Sequence, residues 1–140
     1  MAVVRLPAIA SALAVLFLAG CIPLHNVAEE EPRATEVVDA AWEATATCLA
    51  DRLVAGYGET YTIDATTTRP ARTVVIDARN RTLIGSTAAG TSWLITITGR
   101  DDGKTLVEAR TRWMPLIDPL PADYAEILAA CTKAALPEKA

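Results

Sequence analysis

The stretch TSWLITIT, Thr91 to Thr98, decides how the chain is read. Trp93, Ile95 and Ile97 recur at every second position, and a two-residue period among β-branched side chains marks a strand with one face in a core. The same period governs the region from Glu59 to Trp113 around it. Tyr61, Ile63 and Ala65 alternate with Thr60, Thr62 and Asp64; beyond the break at Arg69 and Pro70, Val74, Ile76 and Ala78 alternate with Thr73, Val75 and Asp77. RNR predicts a turn into a short strand at Thr82 to Ser86, and GRDDGK predicts a hairpin loop. The last strand is expected over Thr105 to Trp113, with Val107, Ala109 and Trp113 on one face and Glu108, Arg110 and Arg112 on the other. A sheet covered on one side and wet on the other produces this alternation.

Helical periodicity flanks the strands. From Thr35 to Ala55, Val38, Trp42, Leu49 and Leu53 share a face with Ala41, Thr45 and Cys48, while Glu36, Asp39, Glu43, Thr47 and Asp51 lie opposite. Thr35 is the expected cap and Gly56 the expected stop. A second helix is expected from about Ala122 to Ala135, with Tyr124, Ile127, Leu128 and Cys131 on its apolar side and Pro137 beyond its end. The fold class is therefore α+β: two helices, N- and C-terminal, on one face of a four- or five-stranded, mainly antiparallel sheet, in the order α-β-β-β-β-β-α.

The N-terminus belongs to neither layer. Only Arg5 precedes the apolar run LPAIASALAVLFLAG, which is shorter than the ~20 residues of a transmembrane helix and matches a secretory h-region. That run closes on LAGC, Leu18 to Cys21, which resembles the lipobox of bacterial lipoproteins. The resemblance implies that residues 1–20 are a signal peptide and that Cys21 carries a diacylglycerol thioether and an acyl chain. In such proteins an aspartate after the cysteine commonly signals inner-membrane retention; Ile22 stands there, which implies the periplasmic face of the outer membrane. Residues 21–33 then read as anchor and flexible tether, and 34–140 as a single periplasmic domain.

In that oxidising compartment the two remaining cysteines, Cys48 and Cys131, are expected to form a disulfide, the alternative being two buried thiols acting as small apolar groups. The layout of tether, helix with TCLADRL, short strands and terminal helix closing on AAC is similar to small uncharacterised proteobacterial lipoproteins with one disulfide. That likeness supplies no active residues.

Charge is uneven. Asn26 to Gly58 holds seven acidic and two basic residues, whereas Glu59 to Trp113 holds eight basic and six acidic. Arg72, Arg79, Arg81, Arg110 and Arg112, with Trp113, are therefore candidates for binding an anionic lipid, a glycan or an acidic partner; the alternative is that arginines simply solvate a sheet face. The chain's net charge of −4 argues against nucleic acid. Trp42, Trp93 and Trp113 all fall on inward faces and are read as core, Trp113 alone being a candidate exposed anchor.

Catalytic constellations are missing from the sequence. The single histidine, His25, lies in the tether, no CxxC occurs, and GSTAAG lacks the spacing and lysine of a P-loop. No metal site is expected, and no cofactor beyond the lipid on Cys21. The expectation is a membrane-anchored, non-enzymatic binding or accessory domain of the envelope. Its alternatives are a carrier or sensor of an anionic lipid or glycan using the arginine-bearing sheet, and a carboxylate hydrolase pairing Glu108 with an acid such as Asp77.

Overall fold

In a computed structural model of the chain, the described residues are 26–83, 90–112 and 118–136. They form strands β1 (Ala34–Val38), β2 (Tyr61–Thr68), β3 (Thr73–Asn80), β4 (Thr91–Gly99) and β5 (Thr105–Thr111), with helix α1 (Trp42–Tyr57) between β1 and β2 and helix α2 (Tyr124–Ala134) after β5. The sheet has the order β1-β5-β4-β3-β2, and every neighbouring pair is antiparallel. α1 thus carries the chain from one edge of the sheet to the other, and β2 to β5 return as a meander.

The pairing aligns the apolar rows anticipated from the two-residue period. Val74, Ile97 and Val107 form one row across β3, β4 and β5, Ile76, Ile95 and Ala109 a second, and Ala78, Trp93 and Thr111 a third. Leu49 and Leu53 of α1 and Leu128 and Cys131 of α2 are buried in the same cluster as these side chains, so both helices cover one face. Burial of such side chains contributes about 1.5–3 kcal/mol each, which makes this face the main source of stability.

The fold class is as expected, but the element order is not. Residues 34–38, expected inside the first helix, form β1, so the order is β-α-β-β-β-β-α. Thr35, Val37 and Val38 suit an extended chain, and pairing of Val38 with Thr105 and Ala34 with Ala109 supplies hydrogen bonds that a solitary helical turn would lack. α1 begins seven positions later than expected, at Trp42, after Ala41; the Thr45 hydroxyl donates back to the Ala41 carbonyl at 2.9 Å. It ends at Tyr57 rather than before Gly56, the Gly58 N–H donating to the Val54 carbonyl.

The expected strand at Thr82 to Ser86 is also displaced. Arg81–Leu83 is a 3-10 turn, held by the Asn80 side chain, which accepts from the Thr82 N–H and hydroxyl. Such side-chain bonds compete with a ladder. The rest of that segment lies outside the described residues.

The expected tether is partly folded. Val27–Glu29 forms a 3-10 turn capped by Asn26, and this turn packs against β4 and β5. Val27 is only 3% exposed, yet it is not part of the core cluster under the helices. Arg110, which projects from the opposite face to its neighbour Ala109, donates from Nε to the Glu30 carbonyl at 2.9 Å. The turn therefore sits on the outer face of the sheet, which is not wholly wet. Of the expected tether, residues 21–25 lie outside the described residues.

Candidate functional site

Of the residues singled out from the sequence, Cys48 and Cys131 meet. Their disulfide joins α1 to α2 across Cα atoms 5.5 Å apart. Cys131 is fully buried and packs with Leu49 and Leu128, so the bridge closes the helical layer over the sheet. Cys21, His25 and Trp113 lie outside the described residues. Trp93 is fully buried, as expected, and stacks edge-on against Tyr61 with ring centroids 5.6 Å apart. Trp42 is half-buried at the margin of the core.

The candidate arginines are distributed over both ends of the sheet and hold local partners. Arg72 lies at the β2–β3 hairpin with φ +50°. Its guanidinium pairs with Asp101 and donates to the Arg100 carbonyl, which ties two hairpins together. Arg79 pairs with Asp77 at 3.0 Å, which also raises the arginine's pKa, and Arg110 pairs with Glu108 at 3.3 Å. Arg81 donates to the Gly58 carbonyl at 3.0 Å, and the Arg112 guanidinium lies over Gly90. Asp77–Arg79 and Glu108–Arg110 are both i, i+2 pairs, and residues two apart share a face of a strand. That spacing was legible in the sequence as self-neutralising. The carboxylates proposed as an acid/base couple, Glu108 and Asp77, stand on β5 and β3 with β4 between them, each held by its own arginine.

A different feature has the shape of a binding site. Between α1 and β2 runs a groove of about 360 Å³, lined by Trp42, Ala46, Ala50, Ala65 and Val74 at its floor and by Glu43, Thr47 and Asp51 along the helical wall. It exists because the facing positions are small: alanines at 46, 50 and 65 leave the space between α1 and the outer strand unfilled. Glu43, Thr47 and Asp51 recur every four residues, which places them on one stripe of the helix. Arg69 closes one end, 3.8 Å from Glu43, with both side chains largely exposed.

The strand that borders this groove is an edge. The Arg81 N–H donates to the Thr60 carbonyl at 2.9 Å, and the register runs unbroken from Tyr61↔Asn80 to Thr68↔Thr73. Antiparallel bonding alternates, so Thr62, Asp64, Thr66 and Thr68 bond to β3. Tyr61, Ile63, Ala65 and Thr67 consequently direct their N–H and C=O groups away from the sheet. Residues 64–68 are exposed, and β2 carries no Pro, Lys or bulge of the kind that blunts an edge. Ala65 and Thr67 thus present backbone groups that no described residue pairs, and send their side chains to the helical face, where the groove lies. Period and composition could not reveal this, because which strand is the edge depends on the long α1 crossover.

Among the described residues, two buried polar atoms are without partners, Trp93 Nε1 and the Tyr124 hydroxyl. Burial, with Glu36 nearby, pushes the Tyr124 hydroxyl pKa well above its ordinary value of 10.0. At the junction of the helices, Tyr57 donates to the Asp123 carboxylate, and this bond raises the Tyr57 pKa, with burial adding to it.

Among the described residues there is no group of three His, Cys, Asp or Glu side chains able to hold a metal ion, and no helix long and apolar enough to cross a membrane. What the groove offers is a hydrogen-bonding edge, an apolar floor and an acidic wall, which together suit recognition of an extended chain. Comparison with known proteins returned no matching family model, no curated relative and no similar solved structure.

Proposed function

We propose that the chain is a lipid-anchored domain at the periplasmic face of the outer membrane, where it binds another envelope component without catalysing a reaction. The observation that carries this reading is LAGC closing an apolar segment at Cys21, only six residues ahead of Val27. An extended chain advances at most about 3.6 Å per residue, so the six steps from Cys21 to the buried Val27 would hold the domain within roughly 20 Å of the lipid surface. Acyl chains contribute about 0.8 kcal/mol per buried methylene, and two or more make release from a bilayer negligible.

Further support comes from the Cys48–Cys131 bridge, which suits an oxidising compartment. The α1–β2 groove provides a place for a partner. The alternative of an anionic lipid or glycan site draws no support from arginines that already hold carboxylates and carbonyls.

Membrane fractionation tests the anchor. Cys21→Ser is expected to move the protein from the membrane to the soluble periplasmic fraction, and its persistence on the membrane would refute lipidation. Crosslinking in intact cells, followed by mass spectrometry, is expected to recover one envelope protein reproducibly. Recovery of none would remove the binding role.

A further inference from the structure

We infer that the free edge of β2 receives an extended peptide segment of a partner protein as a sixth strand, one with an apolar side chain for the α1–β2 groove and a basic side chain for Asp51. The inference rests on the reading of the chain as a binding domain and names the chemistry of its partner. Three observations carry it.

The first is the backbone. Tyr61, Ile63, Ala65 and Thr67 aim their N–H and C=O groups outward, and residues 64–68 are exposed. An added strand would complete those hydrogen bonds, the mode in which main-chain pairing supplies affinity and alternate side chains supply selectivity. An edge of this length with neither Pro nor bulge, and Asp64 as its one charged side chain, is otherwise a liability for aggregation.

The second is the match between edge and groove. Directly opposed residues of an antiparallel pair place their side chains on the same face. Residues of the incoming strand opposite Ala65 and Thr67 would therefore project toward α1, over a floor of Trp42, Ala46, Ala50 and Val74. Because Ala46 and Ala50 face Ala65 across the groove, the space admits side chains of valine size.

The third is charge. Glu43 has Arg69 at 3.8 Å, whereas Asp51, two helical turns further along α1, has no ion-pair partner among the described residues. A lysine or arginine on the incoming strand would complete it. The groove lies beside the β2–β3 hairpin, at the end of the sheet opposite the one where Arg33 enters β1.

The test uses the full purified chain and the blocked heptapeptide Thr-Lys-Thr-Val-Thr-Ala-Thr, with a counterpart carrying Glu in place of Lys. Titration followed by amide chemical shifts is expected to move Ala65 and Thr67 saturably with the Lys peptide and at least tenfold more weakly with the Glu peptide. Ala65→Pro removes an outward N–H and leaves every β2–β3 bond in place, so it is expected to abolish binding while the melting temperature stays within a few degrees. Asp51→Lys, on the exposed wall of α1, is expected to reverse the preference between the peptides whether or not the proline variant folds.

Absence of saturable shifts with either peptide at millimolar concentration overturns the proposal. So does a shift pattern centred elsewhere, or a wild-type dimer that Ala65→Pro dissolves in sedimentation experiments, which would assign the edge to a second copy of this chain. Retained membrane anchoring and crosslinking alongside failed peptide binding would reject this site alone. Loss of both would reject the broader function.

Discussion

Gly99 lies directly beneath the indole of Trp42. A Cβ placed at position 99 would stand 2.5 Å from Cδ1 and 2.9 Å from Cγ of that ring. The contact joins the end of β4 to the first residue of α1, and only a residue without a side chain permits it. Gly99→Ala is therefore expected to push Trp42 outward and to destabilise the fold by about 1–3 kcal/mol, in the range for overpacking. Trp42 also forms part of the groove floor, so its fluorescence should shift toward that of an exposed indole. Denaturant titration of the variant, read by fluorescence and circular dichroism together, measures both effects.

The second prediction concerns the Tyr124 hydroxyl, which is buried without a hydrogen-bond partner among the described residues. Leaving such a group unsatisfied costs about 1–3 kcal/mol, so Tyr124→Phe should stabilise the protein by about 1 kcal/mol and raise its melting temperature. The sign of the pH effect follows from the raised pKa. Below the ordinary value of 10.0 the hydroxyl is protonated in both the folded and the unfolded chain, and stability is unaffected. Above that value the unfolded chain ionises first, so stability falls as pH climbs. Tyr57, raised in the same direction by Asp123, adds to the slope. Melting curves between neutral pH and pH ~11 should show a shallower alkaline decline in Tyr124→Phe than in the wild type.

The Cys48–Cys131 bridge spans 83 positions of sequence, a long loop to hold closed in the unfolded chain. The loop-closure estimate for that length is about 4.5 kcal/mol, a large part of what a domain of this size has. Cys48→Ala should lower stability by an amount approaching that figure and expose a titratable thiol at Cys131 after denaturation. Because Cys131 is fully buried, the thiol should react slowly with a bulky reagent until the chain unfolds.

How much of this was legible beforehand differs by element. β3, β4 and β5 were readable because each has two distinct faces, and Trp93, Ile95 and Ile97 lie where their spacing put them. β1 was hidden because Glu36 occupies an inward row beside Val107, so no apolar alternation marks the strand. Val38 and Trp42 meanwhile stand four apart and mimic a helical face across what is really a strand, a turn and a helix start. The groove was invisible for a non-local reason. The alanines at 46, 50 and 65 become a recess only once the crossover leaves β2 at the sheet's edge. The pairing of arginines by Asp77 and Glu108, by contrast, was available from i, i+2 spacing alone.

The last prediction separates the N-terminal segment from the domain it leans on. Val27 is buried on the outer face of the sheet and is not part of the core beneath the helices. Val27→Asp should therefore undock residues 26–32 by placing a charge in an apolar contact, while α1, α2 and the rows through Ile76, Ile95 and Ala109 stay packed. In the wild type, Arg33 is restrained: its N–H donates to the Ala109 carbonyl at 2.8 Å and its guanidinium pairs with Asp118 at 3.0 Å. Trypsin should cut after Arg33 slowly in the wild type and many-fold faster in Val27→Asp, with little change in the far-ultraviolet spectrum. A variant that melts globally before cleavage would instead make the turn part of the cooperative fold. For an anchored protein the distinction matters, because the docked turn sets how far from Cys21 the β2 edge can reach. Undocking adds six residues, from Val27 to Pro32, to the span that can extend, and at about 3.6 Å per residue this roughly doubles the six-step reach between Cys21 and Val27.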